Sequence, residues 1–255
     1  MIANYHTHTT RCGHAEGTEE EYVLAAIQRG IKQLGFADHA PYCFPDGYYS
    51  GFRMKRDRLA DYASTVLELR EKYKAQIDIR LGVEMEYYPA FFAQTVDMLR
   101  DHQVEYFILG QHFLGNEIGD LSAFTLREDE ETLIRWYTQL KDAINTGKFS
   151  YIAHPDVFRF AGDPAIYRKH TRLLCREANA CQVPLEINLL GLFENRHYPN
   201  PLFWEVAAEE GCKAVLGCDA HRKEALLDTD VEKRAIEMAE KFGITILPMV
   251  ELRKI

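Results

Sequence analysis

Short, mostly apolar runs alternate with longer mixed segments along the chain, and most of the runs end in a histidine or an acid. The runs at residues 2–9, 33–37, 77–83, 106–110, 151–153, 184–188 and 213–218 predict strands. The segments at 19–29, 56–73, 90–102, 129–145, 164–180, 201–210 and 230–241 predict helices, and residues 244–247 follow the last of them. Thr18 with Glu21 three positions on forms a capping-box signature, and Gly30 and Gly211 are stop signals. Strand and helix alternating in this way predict a parallel α/β fold. No linker, low-complexity run or composition break divides the chain, so 1–255 is expected to be one domain.

The polar residues that interrupt this pattern carry the chemistry. His6 and His8 are two positions apart on a strand, so both side chains leave the same face. His39, Glu84, His112, His154, Asp219 and His221 then fall at the ends of later strands, and His14 lies in the loop after the first. Barrel enzymes build their sites at the carboxyl ends of strands. Seven of the ten histidines thus sit at strand ends or in the first loop, a pattern that brings them to a single point. His102 and His170 lie on or beside helices and read as structural. These nine candidate ligands exceed what one ion takes, and carboxylates that bridge would serve two or three ions. Imidazole with carboxylate suits zinc, iron or manganese.

Length and charge narrow the classes. The 255 residues match a barrel of ~250 residues. Net charge is −9, without a basic stripe, which argues against nucleic acid or an anionic membrane as partner. No run approaches the ~20 apolar residues of a membrane span, and Met1-Ile2-Ala3 does not open a signal peptide. The six cysteines form no C-x-x-C pair, so reduced thiols in a cytoplasmic protein are expected. Cys12 and Cys218 lie near the candidate ligands, but harder donors already suffice.

His6-x-His8-Thr9, Ala37-Asp38-His39, Gly82-x-Glu84, His112, His154-Pro155 and Asp219-Ala220-His221 together resemble the motif set of the polymerase and histidinol phosphatase (PHP) superfamily, in order and across the whole chain. The resemblance implies a distorted (β/α)7 barrel with three divalent ions. One would be held by His6, His8, Glu84 and Asp219, a second by Glu84, His112 and His154, and a third by His14, His39 and His221. The length, the long loop after the second strand, Ala37-Asp38-His39-Ala40-Pro41 and Arg53-Met54 are similar to the branch that hydrolyses L-histidinol phosphate.

Such a site implies attack of a metal-bridging hydroxide on phosphorus, because ions lower the pKa of bound water towards ~7. Arg159 and Arg196, in loops after the fifth and sixth strands, are candidates to clamp phosphate oxygens. Asp219 and His197 are candidates to protonate the leaving oxygen. Asp38 is expected to orient a ligand. Tyr42, Phe113, Glu117 and Phe158 are rim candidates for the imidazole and amine of the substrate, which is expected to be a small phosphate ester. Two other functions compete: a PHP-type phosphatase or phosphodiesterase acting on nucleotides, and a barrel subunit without catalysis. Eroded ligands would mark the latter, and here all nine positions are filled.

Overall fold

The structure, a computed structural model, describes residues 1–119 and 121–255. Strands and helices follow as β1 (Ala3–Asn4), α1 (Glu19–Arg29), β2 (Gln33–His39), α2 (Leu59–Tyr73), β3 (Asp78–Met85), α3 (Pro89–Asp101), β4 (Tyr106–Leu109), α4 (Glu130–Asn145) and β5 (Phe149–Ile152). Then come α5 (Pro164–Ala180), β6 (Leu185–Asn188), α6 (Leu189–Phe193), α7 (Pro201–Glu209), β7 (Lys213–Gly217), α8 (Thr229–Phe242) and β8 (Thr245–Ile246). The helices start where the caps stand. Thr18 and Glu21 satisfy each other's backbone N–H, Asp129 and Asp163 cap α4 and α5, and Gly30 ends α1 in the left-handed conformation. A cap contributes ~1 kcal/mol. Each buried large apolar side chain of the same helix contributes roughly 1.5–3 kcal/mol, so packing decides where α1 sits.

All strands pair in parallel, in the order β1 to β8. Their side chains alternate between two cores. Leu34, Phe36, Leu81, Val83, Phe107 and Ile187 face the helices. Tyr5, Ala37, Tyr106, Ile108, Tyr151 and Val215 fill the inside of the curled sheet. Leu247, Val250 and Leu252 pack on this inner cluster, and the Val250 N–H donates to the Tyr5 hydroxyl at 3.3 Å. The tail thus plugs the amino end of the barrel and leaves its polar interior at the carboxyl end.

Closure occurs at that carboxyl end. Beyond β1 and β7, Thr7 and Ala220 form a parallel bridge. The His8 N–H donates to the Ala220 carbonyl at 2.9 Å, and the Ala220 N–H donates to the His6 carbonyl at 3.1 Å. The sequence-predicted first strand is therefore two short pieces. Residues 3–4 pair with β2, and the histidine segment lies between β2, whose Ala37 N–H donates to the Thr7 carbonyl at 2.8 Å, and Ala220 beyond β7. Other differences are local. Residues 56–58 form a separate 3-10 turn before α2, β5 begins two residues early, and α6 and β8 were not foreseen. Asn188 starts α6 by accepting the Gly191 N–H at 2.8 Å. The six cysteines are unpaired, and among the described residues no helix is long and apolar enough to cross a membrane.

Candidate metal centre

Glu84 stands at the end of β3, in register with His39 of β2, with five imidazoles around its carboxylate. His154 Nε2 lies 2.8 Å from Oε1 and His112 Nε2 lies 3.6 Å from it. His39 Nδ1 lies 3.0 Å from Oε2, and the Nε2 atoms of His6 and His8 each lie 3.5 Å from it. Asp219, beyond β7, closes the group: its Oδ1 is 3.1 Å from His8 Nε2 and 3.4 Å from His6 Nε2. His14, His39 and His221 gather on the outer side, with ring centroids 4.5 Å apart for His14 and His221. His154 and Asp219 both occupy the left-handed region, at φ 33° and 48°. Non-glycine residues held there are strained, and such strain collects at functional sites.

The sheet makes room for these carboxylates with two glycines. A Cβ at Gly110 would lie 1.8 Å from Glu84 Oε1, and one at Gly217 would lie 1.7 Å from Glu186 Oε1. Sequence reasoning missed Glu186 and Glu86, whose signal is an acid between apolar neighbours, within β6 for one and just past β3 for the other. Glu186 Oε1 meets His6 Nδ1 at 2.8 Å, and Oε2 accepts the His154 N–H at 3.0 Å. Glu86 Oε1 meets His112 Nδ1 at 2.9 Å. A carboxylate on Nδ1 fixes the proton there and turns Nε2 towards the centre. Asp38 lies 3.5 Å from His8 Nδ1, so it faces His8 rather than the ring of its neighbour His39.

The donor set suits divalent cations. His6 Nε2, His8 Nε2, His39 Nδ1, His221 Nε2 and Glu84 Oε2 are buried without a hydrogen-bond partner, although they crowd together. Leaving such a group unsatisfied costs about 1–3 kcal/mol, and a cation satisfies several at once. Ligand atoms of His6, His8 and Asp219, of His6, Glu84 and His154, and of His14, His39 and His221 lie within 4.8 Å of one another. Cys12 also lies near His8 and His221, but burial pushes its thiol up to about 12, which keeps it protonated.

Electrostatics set the proton inventory. Burial opposes charge on His6 and His8, but carboxylates outweigh it. Glu186, Asp219 and Glu84 raise His6 well above its usual value, and Asp219 with Asp38 holds His8 at about 9. Burial pushes His39 down to about 4 and His221 to about 2. Burial also opposes charge on Glu84 and Asp219, yet the surrounding imidazoles hold both well below the usual carboxylate range. A cation must therefore displace protons from His6 and His8 at neutral pH. In chelator-stripped protein, zinc affinity is expected to rise with pH up to about 9, by ~10-fold per unit for each proton displaced. Titration calorimetry in buffers of differing ionisation enthalpy reads this release, and a pH-independent affinity would contradict the ligand set.

A cavity of about 430 Å³ opens onto this centre, lined by His39, Glu84, His112, His154, Asp219 and His221 together with Phe52, Phe113, Phe124, Leu190, Arg196 and Tyr198. Arg196 is held at its mouth by Glu194 at 2.6 Å and the Tyr198 hydroxyl at 2.6 Å. Phe113 lines the wall and stacks on Phe52 at 5.9 Å.

The other expected residues do not line this cavity. Tyr42 is buried against Tyr88 and donates its hydroxyl to the Glu86 carbonyl. Phe158 is core, stacked on Trp136 at 4.9 Å. Glu117 is buried and paired with Arg53 at 2.5 Å rather than offered to a ligand. His197 lies off the cavity wall, 2.6 Å from the Val157 carbonyl through Nε2, and joins two loops. Arg159 is exposed and also off the wall, and its charge helps to depress the His197 pKa after burial. Of the two candidate proton donors, only Asp219 faces the cavity.

A family model described as "PHP domain" matches residues 4–189. A protein of Deinococcus radiodurans named "Probable histidinol-phosphatase" is 30% identical over 230 residues, 87% of this chain and 86% of that one. A histidinol-phosphatase of Bacillus subtilis is 29% identical over 136 residues, covering 50% and 48% of the two chains. A crystal structure of histidinol phosphate phosphatase from Lactococcus lactis, complexed with zinc, L-histidinol and phosphate, superposes with a TM-score of 0.74 at 21% identity over 98% of each chain. That likeness establishes the barrel fold.

Proposed function

Because the chain belongs to the PHP domain family, we propose that it is a metal-dependent phosphomonoesterase that hydrolyses L-histidinol phosphate to L-histidinol and inorganic phosphate. The observation that carries this function is Glu84 with five imidazoles on one carboxylate, in a chain whose relatives are named as histidinol-phosphatases. His6, His8, Glu84 and Asp219 would hold one divalent ion; Glu84, His112 and His154 a second; His14, His39 and His221 a third. When bound, such ions lower the pKa of water and neutralise charge on phosphoryl oxygens.

The chain's own residues supply the rest. Glu186 and Glu86 keep His6 and His112 in one tautomer. Phe52, Phe113 and Phe124 give the cavity an apolar wall for an imidazole. Arg196, at the mouth, exchanges Glu194 for phosphate, since a guanidinium matches its oxygens bidentately. Arg196→Met is expected to raise KM for histidinol phosphate about 10–100-fold, equivalent to losing ~1.5–3 kcal/mol of charged hydrogen bonding. A smaller effect on kcat separates this binding loss from damage to the metal centre. A cytoplasmic location accords with the six free thiols.

A substrate panel tests the assignment. Phosphate release by metal-replete protein from histidinol phosphate, at a kcat/KM well above that for mononucleotides, supports it. No release from histidinol phosphate, with ready cleavage of another ester, moves the protein to a different phosphatase branch.

A further inference from the structure

We propose that Arg53 is a positioning residue for the metal ligand His112, acting through Glu86. The inference rests on the metal-dependent activity above. Arg53 is only 1% exposed, and its guanidinium makes four hydrogen bonds and an ion pair. Nε donates to Ser50 Oγ at 3.0 Å. One terminal nitrogen reaches the Ala40 carbonyl at 2.8 Å and Glu86 Oε2 at 3.2 Å. The other reaches Glu86 Oε1 at 3.0 Å and Glu117 Oε1 at 2.5 Å.

The guanidinium plane is held as well, with Tyr42 5.0 Å and Phe52 4.6 Å away by ring centroid. The fork fixes the Glu86 carboxylate, and Glu86 Oε1 accepts from His112 Nδ1 at 2.9 Å. Nε2 of His112 is thereby aimed at Glu84, at 3.6 Å. Phe52, next in the chain to Arg53, packs edge-on against both His39 and His112. Glu117 brings the loop after β4 to the same guanidinium. Lysine, a point charge with three donors, cannot make this set of contacts.

Chelator competition on the zinc-loaded full-length protein reads the ions without any substrate, so a failed substrate assignment leaves the result intact. Arg53→Lys and Glu86→Gln are each expected to loosen one ion about 10–100-fold while the others are retained, the usual cost of losing the partner behind a metal-bound histidine. The double variant is expected to be no looser than Glu86→Gln alone, because both act through one bond. Glu117→Gln removes a carboxylate from the same cluster but does not touch His112, and is expected to leave ion affinity within about twofold.

Equal loosening by Glu117→Gln, or wild-type ion retention in folded Glu86→Gln, overturns the proposal. So does an Arg53→Lys protein that melts earlier yet holds every ion as tightly as the wild type. If Arg53→Lys does not fold, the contrast between Glu86→Gln and Glu117→Gln still decides.

Discussion

Glu84→Gln is expected to lower kcat/KM for histidinol phosphate by at least ~10³-fold, about 4 kcal/mol of transition-state stabilisation, while the barrel still folds. The substitution keeps the side chain's size and removes its charge. Glu84 is the one carboxylate that His6, His8, His39, His112 and His154 all approach. Asp219 meets three imidazoles, those of His6, His8 and His221, where Glu84 meets five. A glutamine amide also points N–H groups at ring nitrogens that Glu186 and Glu86 have turned inwards as acceptors. Ion content measured on the purified variant should fall together with activity. A variant that keeps both its ions and most of its rate removes Glu84 from the centre of the mechanism.

Gly110→Ala is expected to cost about 100-fold in kcat/KM without touching a ligand, a loss typical of an ångström-scale misplacement in an active site. The new methyl carbon would lie 1.8 Å from Glu84 Oε1 and 2.4 Å from Cδ, so something must move. The backbone of Gly110 is not in the left-handed region, so alanine is compatible with it and the displacement falls on the carboxylate. Gly217→Ala makes the same clash with Glu186 at 1.7 Å, but Glu186 stands behind His6, His154 and Asn188 rather than among the ligands, and a loss nearer 10-fold is expected. Steady-state rates with circular dichroism as a fold control distinguish these outcomes. Wild-type rates in Gly110→Ala mean that the carboxylate has room the structure does not give it.

Much of this centre is legible in the chain. Strand ends are readable because apolar runs stop abruptly at His39, Glu84, His154 and Asp219, and a parallel α/β order puts all such ends on one side. Closure is less legible. The His6–His8 segment keeps one hydrogen bond to β2 and bridges on its other side to Ala220, a contact between the two ends of the chain that local pattern cannot encode.

The residues behind the ligands were hidden for a related reason. Glu186 in β6 and Glu86 just past the end of β3 resemble ordinary acids until the curled sheet turns them inwards. Arg53 gains its meaning only when three loops meet. Tyr42, Phe158 and Glu117 show the opposite error. Position in a loop near the site does not say which way a side chain turns, and burial against Tyr88, Trp136 and Arg53 decided each one.

The most direct test is to strip the protein with a chelator, verify the loss of ions by elemental analysis, and restore zinc or manganese stepwise while following phosphate release from histidinol phosphate. No turnover is expected in the stripped protein, and activity should return as ions bind, with affinity falling as pH falls. A stripped protein that hydrolyses histidinol phosphate at the full rate would contradict metal dependence.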